Sequence, residues 1–574
     1  MKKIIILCIV LVSIACEKVV DKQPLDMISD SQVWDDQALV DAHLNYLYNA
    51  TPVYVPWEYQ QHAPLVTLTD EARTCIGWSD VLVTFTLGIL NPANCDDNNY
   101  LSSWPYERIR EYNDFLQKIE TGNVSDEFKQ KRVAEVRFLR AWVYFNMAIR
   151  YGGVPLITEP QELDDDLYVF RNKEDEIYEF VRTELDEIID ILPATNAAAD
   201  QWRVNKYVAL ALKSRAMLHA ASIAKYGEVK LDGIVGVPSS KAQFYFQESY
   251  DASKAILESG PYALYRKYTD KVKNYQYLFL EENNNEIIFC KKYVEFDKGH
   301  SLDTDWQPIL YKATIASIVN PTIEMVDEYE FIDGTPGSAI NYNQEIHTGV
   351  LYRNKEPRFH ATILYNRAFW VDDTISTHYF TVQNSLADPR KNTAAFRGKH
   401  VNDREAGATQ TGFLIKKFLN ERRGMVPGDS GQDFIIFRLG EIYLNLAEAA
   451  FQLGGAEKEL EALNALNEIR DRGGVPDRTE ITMDHIKHER KIELAFEGFR
   501  MWDARRWRDA VTEFSGVFHK MTAYYITSKA TYGYIIENCQ GSAVRVFQEA
   551  HYYNPIAQER IFENPNLVQN PGYN

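Results

Sequence analysis

The sequence is short of cysteine, of basic charge and of any apolar run long enough to cross a membrane. It holds six cysteines, none of them in a CxxC pair or at Cys/His spacing for a metal, which removes the usual zinc and redox frameworks. Lys and Arg number 62 against 82 Asp and Glu, a net charge of −20. Phosphate backbones would be repelled by that field, so no nucleic-acid partner is expected. There is no GxSxG, HExxH, P-loop or GxGxxG, hence no signature of a hydrolase, metalloprotease or nucleotide enzyme and no expected cofactor or metal. Asp164, Asp165 and Asp166 form an acidic run that reads as a solvated loop, although consecutive carboxylates can converge on calcium.

The longest apolar run sits at the start. Lys2 and Lys3 precede residues 4–14, which are apolar but for Ser13, and Ala15-Cys16 follows. About twenty residues are needed to span a bilayer, so the run reads as a removed secretory signal over residues 1–15. Cysteine after a small residue is what lipoprotein processing requires, and Cys16 is the expected lipidation site. Ser13 stands where that pattern usually has Leu. Several acyl chains, each methylene adding about 0.8 kcal/mol, make a lasting membrane anchor. Cys75, Cys95, Cys290 and Cys539 remain; a Cys75–Cys95 disulfide is open, and four buried thiols are the reading preferred.

Aromatic residues are plentiful, with 10 Trp, 35 Tyr and 28 Phe. Tyr and Trp stack flat apolar faces while keeping one edge wet. Residues 16–30 form a polar tether. Residues 31–226 carry helical periodicity: Phe138, Trp142, Phe145 and Ile149 mark one face, and Ala141, Tyr144, Ala148 and Tyr151 a second. A helix apolar on two faces packs on two sides, and Gly152-Gly153-Val154-Pro155 stops it. Further helices are expected over 177–192, 205–221, 433–453 and 456–470. Residues 227–432 are loop-rich with short strand-like runs such as Glu286-Ile287-Ile288-Phe289, and 433–574 returns to helix. The fold class expected is mostly α, a scaffold of tetratricopeptide-like helix pairs with an irregular, loop-rich portion containing short strands.

The densest charged motif is ERKIELAFEGFRMWDARRW, residues 489–507. Glu489, Glu493 and Glu497 are four apart, hence on one helix face, and Arg490, Arg500, Arg505 and Arg506 are near enough to neutralise them. A neutralised carboxylate has its pKa lowered, the opposite of what a general acid needs, and no isolated pair suits glycoside hydrolysis. This motif strongly resembles the C-terminal signature of the SusD/RagB family. RFLRAWVYFNMAIRYGGVPLI (137–157), IIFRLGEIYLNLAEA (435–449), LNALNEIRDRGGVP (463–476) and NPIAQERIFENPNLVQNPGY (554–573) resemble the family's other landmarks in order, with Ala557 replacing the usual second proline. The resemblance implies a lipid-anchored, surface-exposed outer-membrane protein of SusD-like fold that binds oligosaccharide without transforming it. It also implies a partner, a SusC-like TonB-dependent transporter that imports the ligand. The alternative within the family is a RagB-like protein that captures peptides.

The motifs are scaffold, so binding residues fall to the loops. A sugar ring offers an apolar face and a rim of hydroxyls, which calls for an exposed aromatic beside polar side chains. Thr69-Asp70-Glu71-Ala72-Arg73-Thr74-Cys75-Ile76-Gly77-Trp78-Ser79-Asp80 resembles the family's early Asp-Glu loop. Trp78 is its candidate platform or else a buried loop anchor, with Arg73 and Asp80 reaching hydroxyls. The second place is His300-Ser301-Leu302-Asp303-Thr304-Asp305-Trp306-Gln307-Pro308, where Trp306 and Asp305, joined by Tyr311, are candidates because a Trp among polar neighbours is badly placed for a core. Tyr54, Trp57, Tyr59 and Tyr100, with Asn98 or Asn99, are weaker candidates. Trp104 reads as a packing residue at a helix start.

Overall fold

Helix follows helix through the first half of the chain. The computed structural model describes residues 30–57, 64–75, 80–95, 101–162, 164–308, 317–380 and 409–573; the expected signal, Cys16 and most of the tether lie outside them. Helix α1 (Gln37–Ala50) is capped by Asp36, whose carboxylate accepts from the Ala38 and Leu39 N–H groups. Helices α2 (Tyr106–Thr121) and α3 (Asp126–Tyr151) come next. The Ser125 side chain caps α3 and Gly152, at φ 75°, ends it. Gly153 is equally constrained, because a Cβ there would meet the Asn172 carbonyl oxygen at 1.9 Å.

Helices α4 (Glu174–Ile189), α5 (Lys206–Tyr226) and α6 (Ala242–Ser259) continue the stack, each packed on the one before. Helix α6 falls within the stretch expected to be loop-rich, so the scaffold runs further than the sequence pattern indicated. It packs in turn on α7 (Leu439–Leu453), and α7 on α8 (Ala456–Gly473). Small residues let three of these helices approach closely. The Ser214 and Ser253 hydroxyls lie 2.8 Å apart, Ser249 donates to the Ser214 carbonyl, and Asn445 of α7 donates to the Ser214 hydroxyl. The mostly α, helix-pair architecture is as expected from sequence.

Two segments differ from expectation. Residues 434–438 are strand, not the first turn of α7: β5 (Phe434–Arg438) pairs antiparallel with β2 (Ile287–Lys291). A fully buried apolar run reads alike as strand or helix, and here the edge of β2 decided. The 489–507 motif is also broken. Helix α9 (Met483–Glu493) ends before Phe496 and Gly498, at φ 63° and 88°, and α10 (Arg500–Arg506) starts afresh. Glu497 therefore leaves the face shared by Glu489 and Glu493. A hairpin of β6 (His519–Ile526) and β7 (Thr531–Asn538) closes the C-terminal region. Strands β1 (Ala72–Thr74) and β3 (Val319–Pro321) form an antiparallel pair, and the short strand β4 (Ile363–Leu364) follows them in the chain. Cys75, Cys290 and Cys539 are buried and Cys95 half-buried. The loop carrying Asp164, Asp165 and Asp166 is exposed, with Asp165 and Asp166 accepting from nearby backbone N–H groups.

Candidate functional site

The Asp-Glu loop is bolted to the C-terminal signature. Asp70 accepts from Arg500 at 2.8 and 2.9 Å and pairs with Lys491 at 2.7 Å. Burial alone would raise its pKa, but these two cations outweigh burial and hold the carboxyl well below the usual range. Glu71 accepts the Phe496 N–H at 2.7 Å, at the left-handed turn that separates α9 from α10. Burial pushes Glu71 up to about 7. Arg545 donates to the Thr69 and Ala72 carbonyls, and Thr322 donates to the Asp70 carbonyl at 2.6 Å. Strand β1 thus starts from a buried, charge-clamped base.

Strand β1 pairs Ala72, Arg73 and Thr74 with Pro321, Asn320 and Val319. The Cys75 N–H extends the ladder to the Ile318 carbonyl at 3.0 Å. Residue 75 precedes the segment of Trp78, and residue 317 follows the segment of Tyr311, so both segments are tied to one end of one ladder. Asn320 also accepts the Gln410 N–H at 2.8 Å. Arg73 is half-buried at mid-strand. Asp80 begins the helix Asp80–Thr86. Trp78, Tyr311 and the Asp80 side chain lie outside the described residues, as do Tyr59, Tyr100, Asn98 and Asn99.

The second candidate segment needs correcting. Trp306 is 0% exposed and belongs to the main core, edge-on to Phe418. Asp305 is buried beside it, with the Thr304 hydroxyl 3.4 Å from its carboxylate. Polar neighbours that argued against a core position find partners inside: Asp303 accepts from Asn420 and Gln432, and the Asp305 carbonyl accepts the Ile318 N–H. Neither residue offers a platform. Trp57 is likewise buried, 5.0 Å from Phe418 and 5.2 Å from Phe434 between ring centroids. Tyr54 is half-buried with the Arg150 guanidinium 4.0 Å over its ring. Trp104 packs edge-on against Tyr151, as its place at a helix start suggested.

Sequence reasoning paired the signature carboxylates with the wrong arginines. Glu493 is held by Arg438, Arg472 and Arg358, and Glu497 by Arg438 and Lys417. Glu489 is held by Arg358 and Arg470. Arg490 and Arg506 instead take Asp503, and Arg506 also takes Glu448. Glu493 is wholly buried, yet the three guanidiniums keep it at about 2. No carboxylate of this network is exposed to act on a ligand; its work is to lock α7, α8, α9 and β5 together. The nearest sequence signal is the arginine in each family motif, which says that a partner exists but not which one.

The SusD family profile matches residues 285–573, and a second, described as starch-binding associating with outer membrane, matches 20–218. The chain belongs to the SusD family. A SusD-like protein of Bacteroides ovatus is 23% identical, over 83% of this chain and 72% of its own length. The starch-binding protein SusD of Bacteroides thetaiotaomicron is 24% identical, over 82% and 78%. A crystal structure of a SusD-like protein from Bacteroides fragilis superposes with TM-score 0.75 at 25% identity, covering 96% of this chain and all of that one. A laminarin-binding SusD-like protein superposes with TM-score 0.63 at 19% identity, covering 93% and 99%.

Proposed function

We propose that this chain is a surface-exposed outer-membrane lipoprotein, anchored through Cys16, that binds a neutral oligosaccharide and hands it to a SusC-like TonB-dependent transporter without chemical change. Family membership supports the class, and relatives named for starch and laminarin binding support a glycan as ligand. The observation that carries the site is the clamped β1–β3 ladder. It draws the flanks of the Trp78 and Tyr311 segments to one place, on a base that the Asp70–Arg500 pair holds still. Binding residues are held on such a scaffold with less ordering cost. Trp78 and Tyr311 supply the stacking faces there, and Arg73 and Asp80 reach hydroxyls. The signature carboxylates Glu489, Glu493 and Glu497, each matched by cations, fit a binding role better than a hydrolytic one.

The test is retardation of the protein, produced from residue 17 onward, in gels containing amylopectin, laminarin, xylan or galactomannan. Retardation by one polymer, lost in Trp78→Ala with circular dichroism unchanged, is the expected result. Retardation by none, with mixed peptides bound in its place, overturns it in favour of peptide capture.

A further inference from the structure

A cleft opens on the helical scaffold, formed by described residues alone. It lies between α1, α3, the turn Ala198–Asp200 with the residues after it, and β2, and encloses about 440 Å³. That volume falls in the range of small-molecule sites. Phe138, Leu139 and Trp142, one apolar face of α3, form its floor. Trp202 and Tyr48 stand in its walls, both half-buried. Tyr48 is fixed rather than loose: its hydroxyl donates to Glu135 at 2.7 Å and accepts the Val204 N–H at 3.0 Å.

The charges around this cleft are already committed. Arg203 pairs with Asp41 and Asp200, and Lys292 with Glu282 and Asp433. Lys291 lies over the ring of Tyr293 at 5.3 Å, Lys292 over one face of Trp202 at 5.0 Å and Arg203 over one face of Tyr48 at 5.9 Å, which leaves the opposite faces for a ligand. What the rim offers to a ligand is amide: Asn45, Asn49 and Gln201 are exposed along it. Aromatic walls, an apolar floor, an amide rim and compensated charge together suit a ligand with apolar faces, many hydroxyls and no net charge.

We propose that this cleft is a second carbohydrate subsite, separate from the β1–β3 ladder, that takes a short neutral stretch of the same glycan chain against Trp202 and Tyr48. The proposal rests on the glycan-binding reading above. Two separated contacts on one polymer raise its retention by avidity without either contact being tight. Losing Trp202 costs the cleft a stacking face, on the order of a fivefold drop in affinity.

The experiment labels the protein from residue 17 onward with 5-fluorotryptophan and assigns the Trp202 fluorine signal by its absence in Trp202→Phe. The probes are maltohexaose, laminarihexaose, xylohexaose and mannohexaose. The expected result is a saturable shift of the Trp202 signal by one of them, kept in Trp78→Ala, with Trp202→Ala weakening retardation by the parent polymer about fivefold. An unmoved Trp202 signal with a polymer that still retards the protein overturns the second subsite and leaves the first reading intact. A shift that vanishes in Trp78→Ala overturns the separateness of the two sites. A Trp202 signal that moves when residues 17–29 are deleted, and not with sugar, assigns the cleft to the tether and overturns the proposal. Failure of every polymer in the gels overturns both readings together.

Discussion

Replacing Arg438 by Met should expose how much the buried charge network is worth. Arg438 is 1% exposed and donates to Glu497 at 2.8 Å through two nitrogens, to Glu286 at 2.9 Å, to Glu493 at 2.7 Å and to the Glu493 carbonyl at 2.9 Å. Met keeps the apolar stem and removes the charge. Arg472 and Arg358 still face Glu493, and Lys417 still faces Glu497, so the loss is partial and should be about 3–5 kcal/mol near pH 8. Relieved of this cation, Glu493 and Glu497 acquire raised pKa values in the folded variant. A raised acid stabilises the fold below its unfolded pKa and loses that contribution as pH climbs through its folded value. The deficit of the variant should therefore shrink as pH falls from 8 to 5.

Urea unfolding followed by tryptophan fluorescence is the assay. Melting temperature is a blunt readout here. At about 2.1 cal/mol/K per residue over 574 residues, ~4 kcal/mol moves a fully cooperative transition by only roughly 3 °C. A deficit under ~1 kcal/mol at pH 8, or one that does not change between pH 8 and 5, would refute the argument that this guanidinium neutralises the cluster.

Other perturbations follow from the same geometry. Glu71 is 1% exposed and raised to about 7 from 4.5 by burial first, so wild-type stability should fall by about 3 kcal/mol as pH rises from 4.5 to above 7. Glu71→Gln lacks this dependence, and its stability relative to wild type should rise with pH between 5 and 8; a flat difference in urea midpoints rejects the assignment. Asp70→Asn leaves Arg500 and Lys491 facing one another across a neutral amide, costing about 3–5 kcal/mol and weakening glycan retardation along with stability. Trp306→Ala, a core truncation, should cost about 3–5 kcal/mol. Retardation per folded molecule should stay unchanged in that variant, whereas Trp78→Ala should reverse the pattern, and equal binding losses in both would undo the distinction drawn between them.

The sequence by itself determined the family, the helical scaffold and the C-terminal end of its longest helix. Those depend on local chemistry: the two-faced apolar pattern of 138–151 and the paired glycines that end it are read within a few residues. It also put an aromatic-containing loop directly after Asp70-Glu71. Contacts made across hundreds of residues were beyond it. Asp70 reaches Arg500 across 430 positions, and Glu71 reaches Phe496 across 425. Nothing local records that the signature helix must break at Phe496 to offer that N–H. The same limit explains Trp306, which looked exposed because its sequence neighbours are polar. Its fate was set by Asn420 and Gln432, which satisfy Asp303 inside the core. Tertiary structure alone decided which charge meets which, because burial makes any unmatched charge costly and only the complete fold supplies the match.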